Sequence, residues 1–296
     1  MPKVLANGIH IHYQQAGEGP DVVLIHGVTG DLSTWYLHVM PALAKEVRVT
    51  AYDLRGHGYS EMTPSGYTSA NMAADLRGLL DSLGIERAHL VGHSFGAAVA
   101  LHCAVLYPER VDSLVLADLW IPALRSFADL ENWPYLEAAK TRLRERGLLI
   151  PEDKWFDLEY IARQALRSPI RVGLRRGMER NTRRLQRLLD GTSALTEALQ
   201  VADLTVERIA EIRQPTLAIY GEDSPFLQIA WYLREKMPSC QVGVLKGIGH
   251  MFALLKPELL VESVTEFLRG LARTGTSEPS GGVSIPTPDG EGSMSI

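Results

Sequence analysis

The sequence predicts an α/β protein in which a mostly parallel central sheet is flanked by helices and carries an inserted helical domain. Three observations predict this class. Short β-branched runs alternate with amphipathic stretches over the first 118 residues, the strand pattern disappears between residues 120 and 212, and it returns afterwards. Alternation of this kind is typical of a parallel sheet with helices on both faces.

The first part of the chain contains five runs with strand character. They are IHIHYQQ (9–15), DVVLIHG (21–27), VRVTAYD (47–53), AHLVGHS (88–94) and VDSLVLAD (111–118). Amphipathic stretches separate the last four runs, and their hydrophobic periodicity predicts crossover helices at 33–44, 70–83 and 95–107. These elements form the first part of the predicted core, residues 1–119.

Residues 120–212 are helical in character and are interrupted by prolines and glycines, which predicts an inserted helical cap. The second part of the core, residues 213–273, follows with strands PTLAIYG (215–221) and QVGVLKG (241–247) and helices near 226–236 and 252–272. The last stretch, 274–296, is rich in Gly, Ser and Pro, so we expect a disordered tail.

Composition excludes several classes of function. The 296 residues are 46% hydrophobic and carry a formal charge of −5, which argues against a nucleic-acid-binding protein. The start of the chain lacks the basic and apolar regions of a signal peptide, and no apolar run is long enough to span a membrane, so we expect a cytosolic protein. The two cysteines, Cys103 and Cys240, lie in no metal-binding or disulfide pattern, and no cofactor or metal is implied.

The segment GHSFG (92–96) lies between an apolar strand and a helical run. A serine between small residues at such a junction fits a sharp turn with positive φ, because glycine neighbours let other backbone segments approach closely. This position would expose Ser94 at the carboxyl edge of the sheet. The start of the following helix offers backbone N–H groups to a developing negative charge.

A glycine-rich turn, HGVTG (26–30), ends the strand DVVLI. Such a turn can direct the Val28 N–H across the sheet toward Ser94, where it would form an oxyanion hole with the Phe95 N–H. Gly27 in the same turn is a candidate substrate contact.

His250 is the candidate base because it lies on a short loop between the last strand and the last helix, at the carboxyl edge of the sheet. A neutral imidazole near Ser94 could accept the hydroxyl proton and later return it to the leaving group. We expect His26 and His93 to order the neighbouring loops and His57 to be a turn residue.

Together, HG (26–27) at the end of the strand DVVLI, DLRGHGYS (53–60), GHSFG and GIGH (247–250) resemble the α/β-hydrolase superfamily over about residues 8–272. The resemblance implies the α/β-hydrolase fold with residues 120–212 as its cap. It also implies Ser94 as nucleophile, His250 as base, and the amides of Val28 and Phe95 as oxyanion hole. Members that open epoxides or remove halide use an aspartate where this chain has a serine.

The acid that completes the triad is ambiguous. Most members of the superfamily place it three residues beyond the glycine that ends the strand equivalent to PTLAIYG, and here that position is Ser224. Asp223 comes one residue early, so its side chain should turn away unless the loop rearranges. Asp118, at the end of VDSLVLAD, is the preferred acid, and Asp223 is the alternative. Glu222, or a site without this acid, is a third possibility, and Asp118 could instead simply cap a turn.

The placement of Asp118 resembles that in fungal zearalenone lactonases and some haloalkane dehalogenases. Aromatic residues follow it, and three of them, Trp120, Phe127 and Trp133, are candidate contacts of a mostly apolar substrate. Nine arginines occur within residues 163–187. They predict either a solvated cap surface or a docking site for an anionic partner such as an acyl carrier protein.

The function expected from these residues is hydrolysis of a carboxylic ester or lactone of a small molecule through an acyl-serine intermediate. A biosynthetic thioesterase or cyclase and a C–C bond hydrolase would use the same triad. A ligand receptor on this scaffold is a further alternative from a different class.

Overall fold

The computed structural model describes residues 1–127, 130–145, 148–155, 157, 160, 164 and 176–274. Eight strands form one sheet in the order β1-β2-β4-β3-β5-β6-β7-β8. Pairing is antiparallel from β1 to β2 and from β2 to β4, and it is parallel from β4 through β8. The predicted mostly parallel sheet is therefore confirmed. Its strands are β1 Lys3–Ala6, β2 Ile9–Ala16, β3 Asp21–Ile25, β4 Arg48–Tyr52, β5 Ala88–His93, β6 Val111–Ala117, β7 Thr216–Gly221 and β8 Cys240–Leu245.

Helices connect these strands on both faces of the sheet, as the sequence pattern predicts. They are α1 Ser33–Tyr36, α2 Val39–Leu43, α3 Ser69–Leu83, α4 Phe95–Leu106, α5 Leu136–Glu145, α6 Arg176–Gly191, α7 Ala194–Ala198, α8 Val206–Ala210, α9 Leu227–Lys236, α10 Phe252–Leu255 and α11 Pro257–Thr274. None of the helices in the described part of the chain is long and apolar enough to cross a membrane.

Two predicted helices are each divided in the structure. The stretch 33–44 forms α1 and α2, and the stretch 252–272 forms α10 and α11. The second division occurs at Pro257, which has no backbone N–H and disfavours helical geometry in the residue before it, so it is tolerated at the start of a helix but not inside one. Pro257 is accordingly the first residue of α11.

The central strands are buried on both faces. Side chains of β3 alternate between two hydrophobic clusters: Val23 and Ile25 pack in one, while Val22 and Leu24 pack in the other. All four side chains are fully buried. A parallel strand covered by helices on both sides is expected to be continuously apolar, as DVVLI is.

Contacts join α6 and α7, which belong to the segment between β6 and β7, to the loop after β4. The Arg184 side chain donates to the Gly56 carbonyl at 3.1 Å, and the Gly66 N–H donates to the Glu197 carboxylate at 2.8 Å. The division into core and cap at residues 120 and 212 stays a proposal. The predicted tail lies almost entirely outside the described residues, which end at Thr274 within α11.

Candidate active site

Three candidate catalytic residues lie beyond the carboxyl ends of parallel strands, at one edge of the sheet. Ser94 follows β5 and Asp118 follows β6, and the last residues of these two strands, His93 and Ala117, pair in register. His250 lies in the loop between β8 and α10. The carboxyl edge of a parallel sheet is the usual location of ligand sites in α/β proteins.

Ser94 has the backbone geometry that its sequence context predicts. Its φ is 55° and its ψ is −120°, a conformation that side chains rarely adopt. Both flanking glycines are sterically required: a Cβ added to Gly92 would lie 2.4 Å from the Gly96 carbonyl oxygen, and one added to Gly96 would lie 2.2 Å from the Ile25 carbonyl oxygen. The strained turn therefore depends on both glycines of GHSFG.

A chain of hydrogen bonds joins the three side chains. His250 Nε2 is 3.1 Å from Ser94 Oγ, and His250 Nδ1 is 2.8 Å from Asp118 Oδ1. Because a carboxylate only accepts, the Nδ1–H of His250 donates to Asp118, and Nε2 is left to accept from the Ser94 hydroxyl. The arrangement can transfer a proton from serine to imidazole and stabilise the imidazolium that forms.

The Asp118 carboxylate is fully buried and has two further donors. Gly221 N–H donates to Oδ2 at 3.1 Å, and the Ser224 hydroxyl donates to Oδ1 at 2.5 Å. Asp118 itself has φ of 50°, and its N–H donates to the Ile219 carbonyl at 2.7 Å. These bonds, with that from His250, compensate the desolvation of the charged form.

The alternative acids have other partners. The Asp223 carboxylate hydrogen-bonds the Tyr135 hydroxyl and thereby raises the pKa of Tyr135. The Asp223 carbonyl accepts from the Trp133 indole N–H at 3.2 Å. Glu222 is exposed, and its carboxylate accepts from the Gly247 N–H. Of the three candidate acids, Asp118 is the one that the structure brings against His250.

Two buried histidines hold the loop that carries Val28. His26 Nε2 accepts from the Leu54 N–H at 3.0 Å, so its Nδ1–H donates to the Gly27 carbonyl at 2.8 Å. This carbonyl belongs to the same peptide as the Val28 N–H, and the bond fixes the direction of that amide.

The two ring nitrogens of His57 contact different backbone carbonyls. Nε2 is 2.8 Å from the Val28 oxygen, and Nδ1 is 2.8 Å from the Arg55 oxygen. Burial lowers the pKa of His57 to about 4, so the neutral ring donates to one of these carbonyls at a time. We predicted only a turn residue at this position, and the structure adds this contact with the Val28 loop.

The Phe95 N–H and the Gly27 backbone lie beside the nucleophile. Phe95 is the first residue of α4, where an amide has no acceptor within the helix. A Cβ added to Gly27 would lie 3.3 Å from the Ser94 Cβ. Contact of the Phe95 N–H and of Gly27 with a bound carbonyl group stays a prediction.

His93 holds the backbone of the loop that carries the candidate base, His250. Its Nε2–H donates to the His250 backbone carbonyl at 2.9 Å, and burial lowers the pKa of His93 to about 4. Its ring centroid is 5.1 Å from that of His250. This arrangement agrees with the prediction that His93 orders a loop at the site.

The candidate substrate contacts differ in their surroundings. Trp120 packs against Phe226, whose ring meets His250 edge-on with centroids 5.1 Å apart. Phe127 instead packs on Tyr232 of α9 at 4.2 Å, and Trp133 bonds the loop after β7. A substrate contact by any of these three tryptophan or phenylalanine side chains stays a prediction.

Sequence reasoning missed Ser224 and Phe226 as parts of the site. Ser224 was noted only as the absence of an acid, although its hydroxyl contacts Asp118 directly. Its position, three residues after Gly221, was the available signal. Four of the nine arginines at 163–187, those at 163, 167, 171 and 175, lie outside the described residues. Their role as a solvated surface or a docking site stays a prediction.

The whole chain can be compared with known proteins at this point. Residues 20–257 match the family described as the alpha/beta hydrolase fold. The chain belongs to this family, and the resemblance inferred from its motifs is confirmed.

Relatives within the family differ in the reactions that their names describe. The chain is 32% identical over 256 residues to the dihydrolipoyllysine-residue acetyltransferase component of an acetoin cleaving system from Cupriavidus necator, covering 84% of this chain and 64% of that protein. It thus spans slightly less than two thirds of that relative's length. It is 29% identical to a 2-hydroxy-6-oxo-6-phenylhexa-2,4-dienoate hydrolase from Comamonas testosteroni, covering 88% of this chain and 91% of that protein.

A solved structure resembles the chain over most of its length. The enol-lactonase from Burkholderia xenovorans LB400 superposes with a TM-score of 0.66 at 25% identity, covering 90% of this chain and all of that one. Similarity thus extends to a hydrolase, a lactonase and an acetyltransferase component. The family is common to them, and the substrates in their names are not.

Proposed function

We propose that the protein is a serine hydrolase that cleaves a carboxylic ester or lactone of a mostly apolar small molecule. The observation that carries this proposal is the chain of hydrogen bonds from Ser94 through His250 to the buried Asp118. A serine held at positive φ with an imidazole 3.1 Å away is suited to nucleophilic attack on a carbonyl carbon. The similarity to an enol-lactonase gives secondary support.

In the proposed reaction, Ser94 Oγ attacks the carbonyl carbon while His250 Nε2 takes the hydroxyl proton. The carbonyl oxygen becomes an oxyanion, which the N–H groups of Val28 and Phe95 bind. Collapse of this intermediate breaks the ester C–O bond, and His250 returns the proton to the leaving alkoxide. Water then attacks the acyl-serine by the same proton path, releasing the acid and free Ser94. Asp118 orients His250 and stabilises its charged form throughout.

Hydrolysis of a C–C bond is a second candidate, favoured by the similarity to the 2-hydroxy-6-oxo-6-phenylhexa-2,4-dienoate hydrolase. A thioesterase or cyclase that receives an acyl chain from a carrier protein is a third, and the name of the acetyltransferase relative points to acyl chemistry. The cytosolic location also stays a prediction.

The test combines labelling with turnover. A fluorophosphonate should label the wild-type protein at Ser94 and leave Ser94→Ala unlabelled, because only an activated serine reacts at an appreciable rate. A panel of aryl esters, lactones, acyl thioesters and vinylogous diketones then identifies the bond cleaved. Absence of both labelling and turnover would favour a ligand receptor and overturn the proposal. Turnover of the diketones alone would replace ester hydrolysis with C–C cleavage.

A further inference from the structure

Ser224 lies three residues beyond Gly221, the last residue of β7, and it is nearly inaccessible to solvent. The residue is 4% exposed, and it follows β7 in the loop that packs against the end of β6. Its hydroxyl lies 2.5 Å from Asp118 Oδ1, the same oxygen that accepts from His250. One carboxylate oxygen therefore joins the serine to the imidazole.

The direction of the Ser224 hydroxyl is set by a second bond. The Phe226 N–H donates to Ser224 Oγ at 3.1 Å. Because the oxygen accepts from this amide and a carboxylate can only accept, the hydroxyl proton points to Asp118. The turn thus presents a donor to the carboxylate at a fixed place.

This donor fixes the rotation of the carboxylate. Gly221 N–H donates to Oδ2, and the Ser224 hydroxyl donates to Oδ1, which lies 2.8 Å from His250 Nδ1. Hydrogen bonds to a buried charge are short and stronger than those between neutral groups, and leaving one unmade is costly. Without the hydroxyl, Oδ1 would be held by His250 alone.

We infer that Ser224 is a positioning residue of the active site. Its hydroxyl orients the Asp118 carboxylate and weakens the hydrogen bond that this carboxylate accepts from His250 Nδ1–H. The inference rests on the proposed function and deepens it. The resulting array runs from Ser224 through Asp118 and His250 to Ser94, with all links made by side chains.

The charge balance of the array predicts a pH signature. Removing the Ser224 hydroxyl takes one hydrogen-bond donor away from the Asp118 carboxylate. The carboxylate then interacts more strongly with His250 and favours its imidazolium form.

Two titratable groups packed against this pair are His93, whose pKa is lowered to about 4, and Tyr220, whose pKa is raised well above its usual value. Both stay neutral near pH 6–8, so neither of them produces a limb of the kcat/KM profile in that range. The carboxylate of Asp223, whose N–H donates to the Ile248 carbonyl in the His250 loop, is committed to the Tyr135 hydroxyl.

The experiment compares Ser224→Ala with Ser224→Thr, which keeps the hydroxyl, on whichever ester of the panel the wild type hydrolyses. Ser224→Ala should lower kcat about tenfold, leave KM within about twofold, and move the acidic limb upward by about half a pH unit. Ser224→Thr should restore both kcat and the limb.

Ser263→Ala is the matched control. Ser263 is similarly buried and donates to the Leu259 carbonyl within α11, away from the site. It should cost stability without altering kcat or the acidic limb. Thermal unfolding of each variant shows whether it is folded at the assay temperature.

Two results would overturn the inference. In one, Ser224→Ala matches Ser263→Ala in kcat and in the acidic limb. In the other, kcat falls with no displacement of the limb and Ser224→Thr restores nothing, which marks a structural role. Fluorophosphonate labelling of the same wild-type sample separates these results from failure of the proposed function, in which Ser94 is not labelled.

Discussion

Replacing Asp118 with asparagine tests the assignment of the triad acid. Asparagine has almost the same shape, but one carboxylate oxygen becomes an NH2 group. In one orientation that group faces the Gly221 N–H, which is itself a donor. In the other it faces His250 Nδ1 and the Ser224 hydroxyl. The second orientation is less unfavourable because the Ser224 hydroxyl proton, no longer facing an acceptor there, can turn away and let the oxygen accept, whereas the Gly221 N–H can only donate.

An NH2 group facing Nδ1 would force His250 into the wrong tautomer. The ring proton would move to Nε2, which faces Ser94, and the imidazole could no longer accept the serine proton. Asp118 is fully buried, so water cannot replace the lost acceptor. Loss of the triad acid with this tautomer change lowers kcat by about 10⁴-fold in a serine protease, which corresponds to roughly 5.5 kcal/mol in the barrier. We expect a loss of that order for Asp118→Asn.

The assay measures kcat and kcat/KM for ester hydrolysis with wild type, Ser94→Ala, Asp118→Asn and Asp223→Asn. Asp223→Asn is the matched control, because it makes the same change at the alternative acid. It should retain activity within about threefold, since its carboxylate contacts Tyr135 and is partly exposed. The reasoning would be refuted if Asp223→Asn were as inactive as Ser94→Ala while Asp118→Asn kept its rate.

Further predictions concern stability and reactivity. Gly96→Ala should destabilise the protein by more than about 3 kcal/mol in urea unfolding, because the new Cβ meets a β3 carbonyl at 2.2 Å, whereas Gly191→Ala, with no atom within 4 Å, should be neutral or stabilising by up to about 1 kcal/mol. The neutral His93, with its pKa lowered to about 4, takes up its proton mainly on unfolding, so its own contribution to the free energy of unfolding should fall by up to about 1.4 kcal/mol per pH unit as pH decreases from about 6.5 to 4. His93→Asn should lessen the total slope, to which His57 also contributes, and an unchanged slope would contradict the lowered pKa of His93. Iodoacetamide at pH 8 should modify neither Cys103 nor Cys240 in the native protein, because burial raises both pKa values to about 12, and mass spectrometry should find both modified in urea; rapid native labelling would disprove their inertness.

Much of the sheet could be predicted because its strands are continuously apolar and end at recognisable turns. The exception is β1, which the sequence analysis did not include. Its pairing with β2 is closed by Asn7 and Gly8, both with positive φ, a dipeptide typical of a two-residue hairpin turn. The run KVLA is short and exposed at alternate positions, so hydrophobicity alone did not reveal it.

The site was predictable to the extent that it depends on local turns. GHSFG constrains its own backbone through close contacts at two glycines, so the location of Ser94 can be read from five residues. The partner of His250 depends instead on which of two loops, 132 or 27 residues away in sequence, reaches it. A local sequence pattern does not show which of these two loops folds against His250. Asp118 and Asp223 therefore both remained candidates until their surroundings were known.

The location of Asp118 has a consequence for exchanging the segment between β6 and β7 with that of another protein. The acid is two residues from Trp120, where the proposed cap begins, and the Tyr220 hydroxyl secures the intervening turn by donating to the Leu119 carbonyl at 3.0 Å. A graft that starts at residue 119 would alter the peptide next to the acid, and the resulting chimera could fold and still lack turnover. A junction placed after the buried Ile121 would leave intact both Asp118 and the hydrogen bond from Tyr220 to Leu119. Exchanging only the residues beyond Ile121 would therefore test whether this segment selects the substrate, with the acid undisturbed.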